Sequence, residues 1–246
     1  MRIRVIACCL NEEEMLPFFL DYYSSIAEEI VICDGGSTDR SHEIIKSYPK
    51  AKLLIETHEK MDERNLTGIR NNMYKSDRLS WDWQIIVDVD EFIYHKDLKD
   101  KLEEYEEDGI TVPKVIGYDM YSLVFPEFTS GKYLVDLIRT GRRNEKWQDK
   151  KALFNPKKVD INYEFGCHHS NPTGLVKESD RAEIYILHYN YVGYDHFIKR
   201  HKFNAERMSD FNKEHSLAYH IPLLSKMSRE EFERRVKNEA EDLLLY

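Results

Sequence analysis

No stretch of this chain approaches the run of about eighteen apolar residues that a membrane-spanning helix needs, so none is expected. The apolar N-terminal stretch, residues 3–10, stops at Asn11-Glu12-Glu13-Glu14; it is too short for a signal peptide and reads as a first strand. Cysteine is scarce as well. Cys8, Cys9, Cys33 and Cys167 make no Cys-x-x-Cys pair and no zinc-ligand spacing, which leaves free thiols and a reducing, cytoplasmic setting. Positive charge is in deficit: a net charge of −9 argues against a nucleic acid as the main partner. There is no internal repeat, no low-complexity tract and no clear linker, so residues 1–246 are expected to form one domain.

What the chain does contain is a regular alternation over its first half. Residues 3–10, 29–34, 52–56 and 84–87 are short runs rich in β-branched residues that read as strands. After the first, Met15, Leu16, Phe19, Tyr22, Tyr23 and Ile26 make an apolar helical face, with Asn11 as its cap and Glu14 at N3. A second helix starts near Ser37-Thr38-Asp39, and a third spans roughly 63–75. This β-α-β-α-β-α-β order implies parallel strands with helices on both faces. The second half is less regular. Strands are expected at 110–118, 151–154 and 183–191, and an aromatic, basic loop region at 122–150. Helices follow over about 194–213 and 228–245, the last opened by the capping box Ser228/Glu231. The chain thus divides into parts 1–95, 96–193 and 194–246.

Two strand ends carry chemistry. In Gln84-Ile85-Ile86-Val87-Asp88-Val89-Asp90-Glu91-Phe92, an apolar strand runs into three carboxylates, and Asp88 and Asp90 at i, i+2 share a face. Carboxylates so packed call for a hard divalent cation that also holds substrate phosphates. In Ile30-Val31-Ile32-Cys33-Asp34-Gly35-Gly36-Ser37-Thr38-Asp39, a strand delivers Asp34 to a glycine turn, where it can accept hydrogen bonds from a base or ribose.

The order Asn-Glu after the first strand, then Asp-Gly-Gly-Ser-Thr-Asp, Arg-Asn and Asp-Val-Asp-Glu-Phe resembles the inverting family 2 glycosyltransferases, over about residues 3–95. Glu91-Phe92 after the Asp-x-Asp is similar to a bacterial and viral subgroup. The resemblance implies an α/β fold of the GT-A (Rossmann-like) type: a sandwich with a mostly parallel central sheet, helices on both faces and a C-terminal helical extension. It places Cys8, Leu10, Asn11, Asp34, Gly35, Gly36, Asp88, Val89 and Asp90 on the nucleotide-sugar side. Gly35 stands where the family has a second acid, a departure that touches nucleotide recognition. Of the two Arg-Asn pairs, Arg64-Asn65 and Arg70-Asn71, the second lies nearer the family's usual distance from Asp88.

The resemblance further implies that Asp88 and Asp90 hold Mn²⁺ or Mg²⁺ on the donor diphosphate, with His188 of Leu187-His188-Tyr189 as third ligand. The second histidine cluster, His168-His169, lines the acceptor side or competes for the metal. An inverting transfer needs a carboxylate base, for which Asp149 and Glu164 are candidates and Asp119 a third. The basic run Lys199-Arg200-His201-Lys202 suits a diphosphate or an anionic membrane surface, to which the protein would bind peripherally. The function these features imply is transfer of a sugar, from a UDP-sugar, to a hydroxyl of a glycan, glycolipid or glycoprotein. The alternatives are a nucleotidyltransferase, disfavoured by the lack of a Gly-rich basic loop after the first strand, and a non-catalytic sugar-nucleotide or glycan-binding module.

Overall fold

The structure, a computed structural model, describes residues 1–245. Its first half repeats strand and helix: β1 (Ile3–Cys9), α1 (Leu16–Ile26), β2 (Glu29–Asp34), α2 (Ser41–Ser47), β3 (Ala51–Ile55), α3 (Glu63–Asn72) and β4 (Trp83–Asp88). The four strands are parallel in the order β3-β2-β1-β4. Alternation along β1 explains why both faces are covered. Ile3, Val5, Ala7 and Cys9 pack with α1 in one apolar cluster, whereas Ile6 turns the other way, to Val31, Ile86, Tyr74 and Phe154.

The chain then enters a second sheet. The elements are β5 (Glu91–Tyr94), α4 (Leu98–Glu107), β6 (Val115–Ser122), α5 (Leu134–Leu137), β7 (Thr140–Arg143) and α6 (Glu145–Gln148). β8 (Leu153–Phe154) returns to the first sheet, antiparallel to β4, and β9 (Val159–Asp160) pairs with β10 (Thr173–Gly174). β11 (Ile184–Val192) lies between β5 and β6. The C-terminal part is α7 (Tyr194–Glu206), α8 (Asp210–Glu214), α9 (His220–Leu224), α10 (Arg229–Glu239) and the short β12 (Glu241–Asp242), which pairs with β7. The fold is α/β, with a mostly parallel central sheet, helices on both of its faces and a C-terminal helical extension.

Helix α1 joins the two sheets. Phe19 meets Phe92 at 6.0 Å between ring centroids, and Phe92 meets Tyr189 of β11 at 5.1 Å, so one apolar cluster serves both. Tyr22 and Tyr23 donate their hydroxyls to the Ile93 and Glu91 carbonyls, at 2.6 and 3.0 Å. Each large side chain buried here contributes about 1.5–3 kcal/mol over exposure, and the Tyr22 and Tyr23 hydroxyls reach partners that keep their burial inexpensive.

Several local expectations change in three dimensions. Asn11 does not cap α1; it has φ 54°, and its side-chain oxygen accepts from Thr38 N at 2.7 Å, tying β1's end to the glycine turn. The strand expected at 110–118 begins only at Val115, two residues past Pro113, which cannot donate to a ladder. The helix expected over 194–213 breaks at Met208, which bridges Met61, and Ser209 caps the next helix. The helix expected to reach 245 ends at Glu239, because the chain turns extended to pair with β7 and Leu243 joins the core. α4 carries no expectation from the sequence.

Candidate functional site

β4 ends at Asp88 and β5 begins at Glu91, so Asp88-Val89-Asp90 is the joint between the two sheets. Val87 and Val89 are buried in the core, 1% exposed each, which turns Asp88 to the opposite face. There α3 delivers Arg70, whose guanidinium binds the Asp88 carboxylate. Asp90 is 1% exposed. One of its oxygens, Oδ2, binds Arg200 of α7 and lies 3.1 Å from His188 Nε2; the other, Oδ1, has no partner among the described residues.

The strand register assembles the rest. His188 of β11 stands between Glu91 of β5 and Asp119 of β6. Its Nδ1 lies 2.9 Å from Asp119 Oδ1 and 2.8 Å from the Gln148 amide. Glu91 Oε2 accepts from the Asp88 backbone N–H at 2.9 Å, and Lys150 Nζ donates to both Glu91 oxygens, at 2.5 and 2.6 Å. Arg200 reaches back to Glu12 Oε1 at 2.7 Å. Buried charges are thus matched one to another, as low dielectric requires.

These partners set the protonation states. Burial opposes ionisation of Asp90, but Arg200 and His188 outweigh it and hold the carboxyl well below its usual range. Burial would also lower His188; the Asp90 and Asp119 carboxylates win and raise it to about 10. Asp88 is pulled down by Arg70 and Lys150 against its own burial. Burial pushes Glu12 up to about 7 despite Arg200.

A cavity of about 670 Å³ opens at the carboxyl ends of β1, β2 and β4, where open α/β sheets hold ligands. Of the expected residues, Cys8, Leu10, Gly35, Arg70, Asp88, Asp90 and His188 line it. Others do not. Asp34 is fully buried, and its carboxylate is spent on the turn itself: it accepts from Gly36 N and Ser37 N at 2.9 and 2.8 Å, and binds Ser37 Oγ and His42. The side chain is thus turned to the glycine turn and away from the cavity lining. Arg64 pairs with Asp62 and covers the Phe211 ring at 4.2 Å, away from Asp88. Gly36 packs against Thr57, Val89 is core, and Asn11 borders a separate small cleft beside α7.

Both leading carboxylate-base candidates also fall outside the cavity lining. Asp149 clamps Arg143 at 2.5 Å and accepts from Gly117 N at 2.8 Å. Glu164 is exposed and accepts from Asn171 at 2.7 Å. Asp119 does line the cavity, but His188 and Asn144 occupy its oxygens. Among the described residues, no three His, Cys, Asp or Glu side chains are gathered as a ready metal site, and Asp88 is paired with Arg70. The sequence assigns no role to Lys150, and Glu12 enters it only as part of the Asn-Glu pair after the first strand. A lysine just before a short strand, and an acid just after one, are the only local signals, and both are common on surfaces. Of the basic run 199–202, Arg200 and His201 turn inward to the cavity, while Lys199 reaches Glu14 at the surface.

No helix among the described residues is long and apolar enough to cross a membrane. No curated protein matches the chain. Among solved structures, TarS of S. aureus, residues 1–349, is similar at 16% identity and a TM-score of 0.44, covering 97% of this chain and 72% of that one. A longer TarS chain matches at 16% identity and a TM-score of 0.43, over 84% of this chain; this chain spans only 39% of its length. Glucosyl-3-phosphoglycerate synthase of Mycobacterium tuberculosis, in complex with Mn²⁺, UDP and glucosyl-3-phosphoglycerate, matches at 18% identity and a TM-score of 0.32, covering 49% of this chain and 44% of that one. The family model described as glycosyl transferase family 2 matches residues 4–161, from β1 through the Asp88-Val89-Asp90 joint to the end of β9. That match takes in well over half of the sequence, and the chain belongs to glycosyl transferase family 2.

Proposed function

We propose that this protein is a metal-dependent glycosyltransferase of the GT-A type that moves a hexosyl group from a UDP-sugar to a hydroxyl of a glycan, glycolipid or glycoprotein, with inversion. The observation that carries this reading is the cavity at the strand ends, into which Asp88, Asp90 and His188 project together with Arg70 and Arg200. A diphosphate-linked ligand needs that mixture: cations for phosphate oxygens and a carboxylate pair for a divalent ion. The family resemblance supports UDP and the bacterial and viral Asp-x-Asp-Glu-Phe subgroup. The apolar cluster that runs through both sheets supports one domain, 1–246, with parts 1–95, 96–193 and 194–246, of which Tyr246 lies outside the described residues. Four free cysteines support a cytoplasmic setting, with peripheral contact to a membrane through Lys199 and Lys202.

The donor set fits Mn²⁺ or Mg²⁺. His188, raised to about 10, carries a proton on each nitrogen: Nδ1–H donates to Asp119 Oδ1, and Nε2–H faces Asp90 Oδ2 at 3.1 Å. A bound cation would take the place of the proton between these two groups, and Asp90 Oδ1 is buried beside them with no partner among the described residues. Asp88, Asp90 and His188 would hold the ion, which when bound supplies positive charge to the leaving diphosphate. The chain's own contribution is to hold these groups: Arg70 orients Asp88, Asp119 orients His188, and Arg200 keeps Asp90 ionised.

The test is a panel of nucleotide sugars, screened for Mn²⁺-dependent binding and hydrolysis by wild type and Asp90→Ala. Turnover that Asp90→Ala or a chelator abolishes is expected. Undiminished turnover in either case would sink the metal mechanism. Tight binding with no turnover would favour a sugar-nucleotide-binding module, and consumption of nucleoside triphosphate a nucleotidyltransferase.

A further inference from the structure

With Asp149 and Glu164 directed away from the cavity, the proton of an attacking hydroxyl needs another acceptor. His168 lies in the loop that follows β9 and lines the same cavity as Asp88 and His188. The backbone takes unusual conformations to bring it there. Gly166 has φ 83° and Cys167 φ 56°, left-handed geometry that a non-glycine residue adopts at a cost and that clusters at functional sites. A side chain at position 166 would press on the His168 ring, its Cβ only 3.3 Å from Cδ2. Cys167 is held beneath the loop, buried, with its Sγ 3.6 Å from Arg70 Nη1.

The tautomer is fixed as well. His168 Nδ1 lies 2.7 Å from the Trp147 carbonyl, which can only accept, so Nδ1 carries the hydrogen. In the neutral ring, Nε2 then bears the lone pair, and it has no partner among the described residues. Burial pulls this imidazole down to about 4, and the nearby Lys150 and His188 charges add to that, so the ring is neutral near pH 7. The Trp147 ring stands edge-on to it at 5.1 Å and also lines the cavity, an apolar wall beside a lone pair.

We propose that His168 is the catalytic base of the transfer, with Trp147 as the wall against which the acceptor sugar packs. This rests on the glycosyl-transfer reading above. The acceptor hydroxyl oxygen bonds to the anomeric carbon as the bond from that carbon to the diphosphate oxygen breaks. The electron pair of the broken bond leaves with the nucleoside diphosphate, and the hydroxyl proton passes to His168 Nε2, then to solvent. A positioned base of this kind contributes about 10²–10⁴ in rate.

The experiment uses the full chain, Mn²⁺, and the nucleotide sugar that wild type hydrolyses, with water as acceptor. His168→Asn keeps a donor for the Trp147 carbonyl and lacks the base nitrogen; His168→Ala lacks both and leaves space for added imidazole. The expected result is a loss of turnover of about 10²–10⁴-fold in both variants, with UDP affinity in the presence of Mn²⁺ unchanged by calorimetry, and partial rescue of His168→Ala by imidazole. Wild-type turnover in His168→Asn would overturn the assignment, as would a loss that tracks weakened UDP binding. Wild type that turns over no nucleotide sugar would instead overturn the glycosyl-transfer reading, and this assignment with it.

Discussion

Lys150 places its ammonium on both oxygens of Glu91, and Glu91 in turn accepts the backbone N–H of Asp88. Lys150 and Glu91 side chains are only 6% and 2% exposed. One buried ion pair therefore fastens the segment after α6, the first residue of β5 and the last residue of β4, and so fixes the Asp88-Val89-Asp90 joint.

Breaking that pair from either side leaves a charge buried without its partner. Glu91→Gln or Lys150→Met is expected to cost about 3–5 kcal/mol, read as a shift in urea unfolding. The double variant should recover part of the loss, since it removes both charges. Double-variant stability equal to the sum of the two single losses would show that the pair is not coupled.

Gly117 is the point at which β6 lets α6 approach. A Cβ there would stand 2.2 Å from the Gln148 Cβ and 2.3 Å from its backbone carbonyl carbon, closer than any real contact. Gly117→Ala must push α6 outward, carrying Gln148 off His188 and the Trp147 carbonyl off His168. We expect Mn²⁺-dependent turnover to fall at least tenfold, a loss of about 1.4 kcal/mol of transition-state stabilisation, while far-ultraviolet circular dichroism stays native. Unchanged turnover would show that the helix accommodates the methyl group without moving its side chains.

His201 of α7 is 5% exposed, and burial lowers its imidazole to about 4. Above about pH 6.5 both folded and unfolded chains carry it neutral, and it contributes no pH dependence. As pH falls from about 6.5 towards 4, the unfolded chain takes a proton that the folded chain refuses, so stability is lost over that window, on the order of 3 kcal/mol in all. Glu12, raised to about 7 by burial, works in the opposite direction, because the folded chain takes up its proton first. Urea unfolding of wild type and His201→Phe across pH 4–7 isolates the histidine: the difference between the two should change with pH in that window and stay flat above it. A constant difference would mean that His201 titrates normally in the fold.

The first half of the fold is legible in the sequence because period-2 apolar runs, separated by period-3.6 faces, are local signals. They locate β1 to β4, and with them the carboxylates at the end of β4. The second half is legible only in part. Short strands such as β9 and β12 form because a partner edge is present, and nothing within two residues encodes that edge. Asp34 shows the same limit inside a motif: its position at a strand end is plain in the sequence, but the turn contacts that bury its carboxylate are not.

By itself, the sequence determined that Asp88 and Asp90 close a buried parallel strand, and that a helix carrying Arg70 precedes them. Only the tertiary structure decided what those carboxylates meet. Asp90 is bound by Arg200, 110 residues away, and Glu91 by Lys150, 59 residues away. The physical reason is one of range. Backbone periodicity and turn chemistry act over a few residues, whereas a buried charge is stabilised by whichever opposite charge the packing of two sheets and a C-terminal helix brings within hydrogen-bond reach.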